Sequence, residues 1–126
     1  ATFWNACELA WKQKGWAVYF DELFYLTDIG LERQVKRMLT QGRSANLTAI
    51  CGMQRPVGIT RYALSEPTHL ISFRVEPRDI KTLAELGSEA WAQKVAELEE
   101  YQFAWYYRPK RQIWVGRVQD LFSNVD

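Results

Sequence analysis

The spacing of polar and apolar positions changes along this chain, and the changes mark out its elements. Phe3, Cys7, Ala10 and Trp11 recur at helical intervals and Gly15 follows them, which predicts a helix over residues 2–14. The continuous apolar run in "GWAVYF" then drops that period and predicts a buried strand over 16–20. Leu31, Val35, Met38 and Leu39 restore a helical stripe, with Arg33, Lys36 and Arg37 on the opposite face and Gly42 as its stop signal. "NLTAICGMQ", 46–54, predicts a second buried strand. The breakers Pro56 and Gly58 follow, and "HLISFRV", 69–75, predicts a third strand.

Later in the chain, Ile80, Leu83 and Ala84 predict a short helix ended by Gly87, and Trp91, Val95 and Leu98 predict another, capped by Ser88. "QFAWYY" and "QIWVGRV" flank "RPKR" as a hairpin with a basic tip, and period 2 sets Phe103, Trp105 and Tyr107 on one of its faces. Strands alternating with helices predict an α/β fold: a mostly parallel sheet with helices on both faces and a C-terminal β-hairpin. Ligands of such sheets gather at the carboxyl ends of the strands. Asp21, Glu22 and Gln54 all fall there.

Composition narrows the class. With 126 residues, 48% of them hydrophobic and 14% aromatic, the chain is long enough for one domain with a substantial core. No apolar run approaches the ~18–20 residues that cross a bilayer, and the first residues lack the basic-then-apolar pattern of a signal peptide. The chain therefore reads as a cytoplasmic protein. Cys7 and Cys51 sit in apolar surroundings without CxxC spacing, which indicates buried thiols rather than a disulfide framework or a zinc site. His69, the single histidine, opens an apolar strand with no cysteine or acid at metal spacing, and reads as a hydrogen-bonded core residue.

Net charge is only +1, but it is unevenly spread. Residues 31–61 hold six basic side chains (Arg33, Lys36, Arg37, Arg43, Arg55 and Arg61) against one acid, Glu32. From 76 to 100 seven acids face three bases, and from 101 to 118 Arg108, Lys110, Arg111 and Arg117 are unopposed. Basic middle and end segments suit phosphate or DNA, with Arg55 and Arg61 as the loop candidates; solvated faces have the same composition.

The stretch that carries chemistry is "VYFDE". An apolar strand ending in Asp-Glu has the form of a Walker B motif, in which the Asp holds Mg²⁺ and the Glu orients the attacking water. After it come a helix, the turn "TQGRSAN", the strand "LTAICGMQ" and then "RP". This order resembles the HerA/FtsK group of RecA-like motor ATPases, whose sensor strand commonly ends in "TQRP" where this chain has "MQRP". The resemblance covers roughly residues 1–87 as an ATPase core, with 88–126 as an accessory helix and hairpin of the same domain.

The resemblance implies a partial RecA-like sheet and four roles. Asp21 would be the Mg²⁺-side carboxylate, Glu22 the catalytic glutamate, Gln54 the sensor of the γ-phosphate or attacking water, and Arg43 the finger reaching a neighbouring subunit's nucleotide. ATP and Mg²⁺ would be the cofactors, DNA the partner, and a hexameric ring the working assembly of a translocating or packaging motor. No Gly is followed by Lys anywhere, so the phosphate-binding "GxxxxGK[ST]" loop is not in this sequence. The chain is accordingly expected to be the carboxyl-terminal part of a longer ATPase, inactive alone. Its vacant strand position would be filled by the missing N-terminal fragment or by a swapped second copy. Two other readings stay open: a stand-alone nucleic-acid-binding module using the basic segment and hairpin, and an inert assembly domain with an ATPase-like fold.

Overall fold

A computed structural model describes residues 2–56 and 62–122. The chain forms two compact units, Ala1–Glu66 and Pro67–Asp126. The first contains helix α1 (Thr2–Gln13), strand β1 (Ala17–Phe20), helices α2 (Leu23–Asp28) and α3 (Glu32–Gln41), strand β2 (Thr48–Cys51) and helix α4 (Tyr62–Ser65). α1 ends as predicted, where Lys14 and Gly15 adopt left-handed backbone with φ of 59° and 70°. α3 buries Val35 and Met38 of the predicted stripe, together with Leu31 just before it. On its other side Arg37 meets Glu8 at 3.3 Å and lies 3.9 Å from the centre of the Trp11 ring. This tie is half-exposed and contributes at most ~1 kcal/mol.

Gly42 is not the stop that the sequence suggested. Its backbone stays helical, with φ −58° and ψ −29°, and the chain continues as a 3-10 turn over Gly42–Ala45. Asn46, with φ 53°, makes the break. Asparagine tolerates the left-handed region far better than branched or bulky residues do, so it can serve where a glycine was expected.

β1 and β2 pair in parallel, from Ala17 opposite Thr48 to Phe20 opposite Cys51. Alternation sends Phe20, with Val18, Ala49 and Cys51 beside it, into a core of Cys7, Ala10, Leu23, Leu26, Leu31, Val35, Met38 and Ala63. Tyr19 and Ile50 face the other way and are 61% and 53% exposed. Both strands were predicted as buried; among the described residues only their inner face is covered.

The second unit contains strand β3 (His69–Ser72), helices α5 (Ile80–Leu86) and α6 (Glu89–Ala96), and strands β4 (Gln102–Tyr107) and β5 (Gln112–Arg117), with the three strands in the order β3-β4-β5. β4 and β5 form the predicted hairpin, turning through Arg108–Lys110 and a left-handed Arg111. β3 joins β4 antiparallel, so the parallel part of the fold is the β1–β2 pair. Ser88 caps α6 as expected, its Oγ accepting from the Trp91 backbone N–H at 3.4 Å. The Trp91 side chain is buried, donates from Nε1 to the Ala104 carbonyl at 3.0 Å and stacks on Tyr106. Its ring packs so close to Gly87 that a Cβ there would sit 2.8 Å from it. On the opposite sheet face His69 accepts from Trp105 Nε1 at 3.0 Å and stacks on Tyr107. It is partnered as expected, but exposed rather than in the core. Among the described residues no helix is long and apolar enough to cross a membrane.

Candidate functional site

The exits of β1 and β2 are tied together by two backbone bonds. Gly52 N–H donates to the Phe20 carbonyl at 2.8 Å, and Leu23 N–H donates to the Gly52 carbonyl at 2.9 Å. Between these bonds lie only Asp21 and Glu22, so the chain must turn from β1 into α2 within two residues. Glu22 makes the turn with φ 52°, a left-handed conformation that costs a residue with a Cβ ~1–2 kcal/mol. Leu23, fully buried, anchors the far side of the turn. The carboxylates are thus held at the carboxyl end of a parallel pair, Asp21 exposed and Glu22 half-buried.

Asp21 has a fixed neighbour. The Tyr19 hydroxyl donates to its Oδ1 at 3.3 Å. The negative charge of Asp21 raises the Tyr19 phenol's pKa, with burial and the hydrogen bond adding to the effect. Gln54 follows Gly52 by two residues and is exposed, while Met53 between them packs against the core. Asp21, Glu22 and Gln54 therefore share one end of the β1–β2 pair.

Arg43 does not join them. It precedes β2, at the end where Thr48 N–H donates to the Trp16 carbonyl, and it is exposed. A four-residue strand spans about 13 Å, which sets Arg43 beyond reach of Asp21 and Glu22 in the same chain. Arg55, half-buried, stands beside Gln54 on the loop that leaves β2, and Arg61 lies outside the described residues. The two thiols are poor nucleophiles near neutral pH: burial pushes Cys51 up to about 11, and burial, with Glu8 second, raises Cys7.

Among the described residues there is no cluster of three or more His, Cys, Asp or Glu side chains able to cage a metal ion. An exposed carboxylate with a half-buried neighbour does match the habit of Mg²⁺, which keeps several waters and takes one or two carboxylates plus substrate phosphates. Asp21 and Glu22 fit that donor set. The sequence reading missed Tyr19 and Gly52. Tyr19 shares a strand face with Asp21 by period 2, a signal that was legible. The contact with Gly52 depends on the register of two strands, and local sequence carries no trace of it.

No family model and no curated protein matches this chain. Solved structures do. The DNA-packaging ATPase B204 from Sulfolobus turreted icosahedral virus superposes with a TM-score of 0.75 at 24% identity, covering 91% of this chain and 58% of that one. The genome packaging NTPase B204 from Sulfolobus turreted icosahedral virus 2 gives 0.69 in its complex with AMPPCP and 0.68 with ATP-gammaS, both at 22% identity over 80% of this chain and 51% of that chain. The chain spans little more than half the length of these proteins. At such identities the likeness concerns architecture, and it establishes that this chain has the fold of about half of a packaging-type ATPase.

Proposed function

We propose that this chain supplies the Walker B, sensor and arginine-finger elements of an ATP-driven motor that packages or translocates DNA, of the HerA/FtsK type. One observation carries the reading: a parallel strand pair brings Asp21-Glu22 and the Gly52–Gln54 segment to one end, within a fold shared with packaging ATPases. In this reading residues 1–87 form the nucleotide-side core and 88–126 the accessory part, and the motor works as a cytoplasmic ring.

Each residue's part follows from its chemistry and position. Asp21, exposed at the strand exit, would hold hydrated Mg²⁺ of Mg-ATP, and that ion when bound neutralises phosphate charge. Glu22, turned away from the strand by its left-handed backbone, accepts a proton from the attacking water and polarises it. The Gln54 amide both donates and accepts, which suits a group that contacts water and phosphate oxygen together. Arg43, exposed and at the opposite end of the pair, would bring its fixed cation to the nucleotide of an adjacent subunit. Arg55, just after the sensor strand, and Arg61, six residues further along the sequence, would meet DNA or phosphate.

The test uses the ATPase that contains this chain together with its phosphate-binding loop. Glu22→Gln keeps the shape and removes the carboxylate, so hydrolysis should fall about 10²–10⁴-fold while Mg-ATP binding persists. Retention of most of the turnover would overturn the assignment of Glu22.

A second reading has its own observation. The face of β3-β4-β5 that carries exposed Ile71, Phe73 and Trp114 also sets the Trp105 and Trp114 rings 5.1 Å apart, and the hairpin's tip is basic. Aromatic platforms beside cations bind single-stranded nucleic acid by stacking. Nucleotide-independent DNA binding by the chain alone, lost steeply with salt, would favour that module.

A further inference from the structure

Tyr19 is an exposed aromatic residue whose hydroxyl nevertheless has a defined place. By strand parity Tyr19 and Asp21 share the outer face of β1, and across the parallel ladder Tyr19 pairs with Ile50. Gly52 is the next position on that same face of the neighbouring chain segment, so the Tyr19 ring leans diagonally over it. A Cβ at Gly52 would lie 2.8 Å from the Tyr19 hydroxyl oxygen, but 3.6 Å from Cζ and 3.7 Å from Cε2. Only the oxygen is too close. The same oxygen donates to Asp21 Oδ1 at 3.3 Å.

We infer that Tyr19 is a positioning residue for the Asp21 carboxylate, and that Gly52 is glycine because a side chain there would displace the hydroxyl. The inference rests on the reading of Asp21 as the Mg²⁺-side carboxylate. Among the described residues Tyr19 is 61% exposed and is not one of those packed against the main cluster. What the geometry does explain is orientation. With Oδ1 accepting from the phenol at 3.3 Å, the Asp21 side chain is restrained, which leaves its other oxygen to hold a hydrated divalent cation.

The distances set the pattern of a double-mutant cycle. Tyr19→Phe removes the oxygen and leaves the ring. Gly52→Ala introduces a Cβ that pushes the oxygen away, so it should have the same consequence by a different route. In the Tyr19→Phe background the new Cβ meets only Cζ and Cε2 at ordinary contact distance, and Gly52→Ala should add nothing.

The measurement is Mn²⁺ affinity, read by electron paramagnetic resonance, in the ATPase containing this chain and its phosphate-binding loop with a non-hydrolysable ATP analogue bound. Tyr19→Phe and Gly52→Ala should each weaken Mn²⁺ binding about three- to tenfold, and the double variant no further. Metal-free affinity for the analogue should not change. Wild-type Mn²⁺ affinity in Tyr19→Phe, or full additivity of the two substitutions, would refute the positioning role. Asp21→Asn separates the layers. If it abolishes Mn²⁺ binding while Tyr19→Phe keeps the wild-type affinity, the positioning role alone fails; if it leaves Mn²⁺ binding intact, the assignment of Asp21 fails and takes the positioning role with it.

Discussion

Glu22 offers the sharpest test of the site because its chemistry and its backbone call for different residues. Its φ of 52° lies in the left-handed region, where a Cβ costs ~1–2 kcal/mol and glycine costs nothing. Glu22→Gly removes that cost, but it also gives the unfolded chain more freedom, which returns about 0.4–1 kcal/mol. The balance should leave the variant more stable by about 0.5–1 kcal/mol, a rise of roughly 2–8 °C in Tm for a unit of this size. Glu22→Ala is the proper control. It removes the same carboxylate but keeps the Cβ, so it should gain nothing from the backbone. Thermal unfolding of this chain followed by circular dichroism would compare the two. A Glu22→Gly variant that melts at or below Glu22→Ala would show that the turn is not left-handed, and the tight exit from β1 would have to be redrawn. In the complete ATPase both variants should lose hydrolysis. Greater stability of glycine at this position would fit the proposal that backbone strain accompanies function there.

Arg43→Ala should abolish hydrolysis in the homo-oligomeric ATPase, yet mixing that variant with Glu22→Gln subunits should restore partial activity at mixed interfaces; no rescue at any ratio would speak against a finger acting in trans. In the second unit, Trp91→Phe should destabilise the chain by about 1–3 kcal/mol, because it leaves the Ala104 carbonyl without its 3.0 Å partner and shrinks a fully buried ring. Urea denaturation measures this directly, and a loss under ~0.5 kcal/mol would mean that the indole is not held as described.

What the sequence disclosed and what it hid divide along one physical line. Elements set by local pattern were legible: the α3 stripe through Val35 and Met38, the Ser88 cap, the β4–β5 hairpin with its basic tip, and the Asp-Glu exit of β1. Elements set by contacts between distant segments were not. β3 reads as one more apolar strand, and nothing in "HLISFRV" says that it will pair antiparallel with β4. The runs "AVYF" and "TAIC" look like strands buried on both faces, because Tyr19 and Ile50 are large hydrophobic residues like their inward neighbours; that they are exposed depends on what covers them. Parallel strands are normally covered on both sides, and this chain spans 58% of the length of a packaging ATPase that shares its fold.

The site shows the same division at the scale of single atoms. Asp21 and Glu22 could be named from four apolar residues and two acids, since a strand end in an α/β sheet is where ligand chemistry collects. The turn's left-handed residue could not, because Glu is seldom found there and the requirement arises only once Phe20 and Leu23 are both bonded to Gly52. Nor could Gly52 be given a reason from its neighbours: its lack of a side chain matters through the Tyr19 oxygen on another strand. Residues that perform chemistry are constrained by their own functional groups and so leave a pattern in the sequence. Residues that hold them in place are constrained by distances across the fold, and those appear only when the strands are laid side by side.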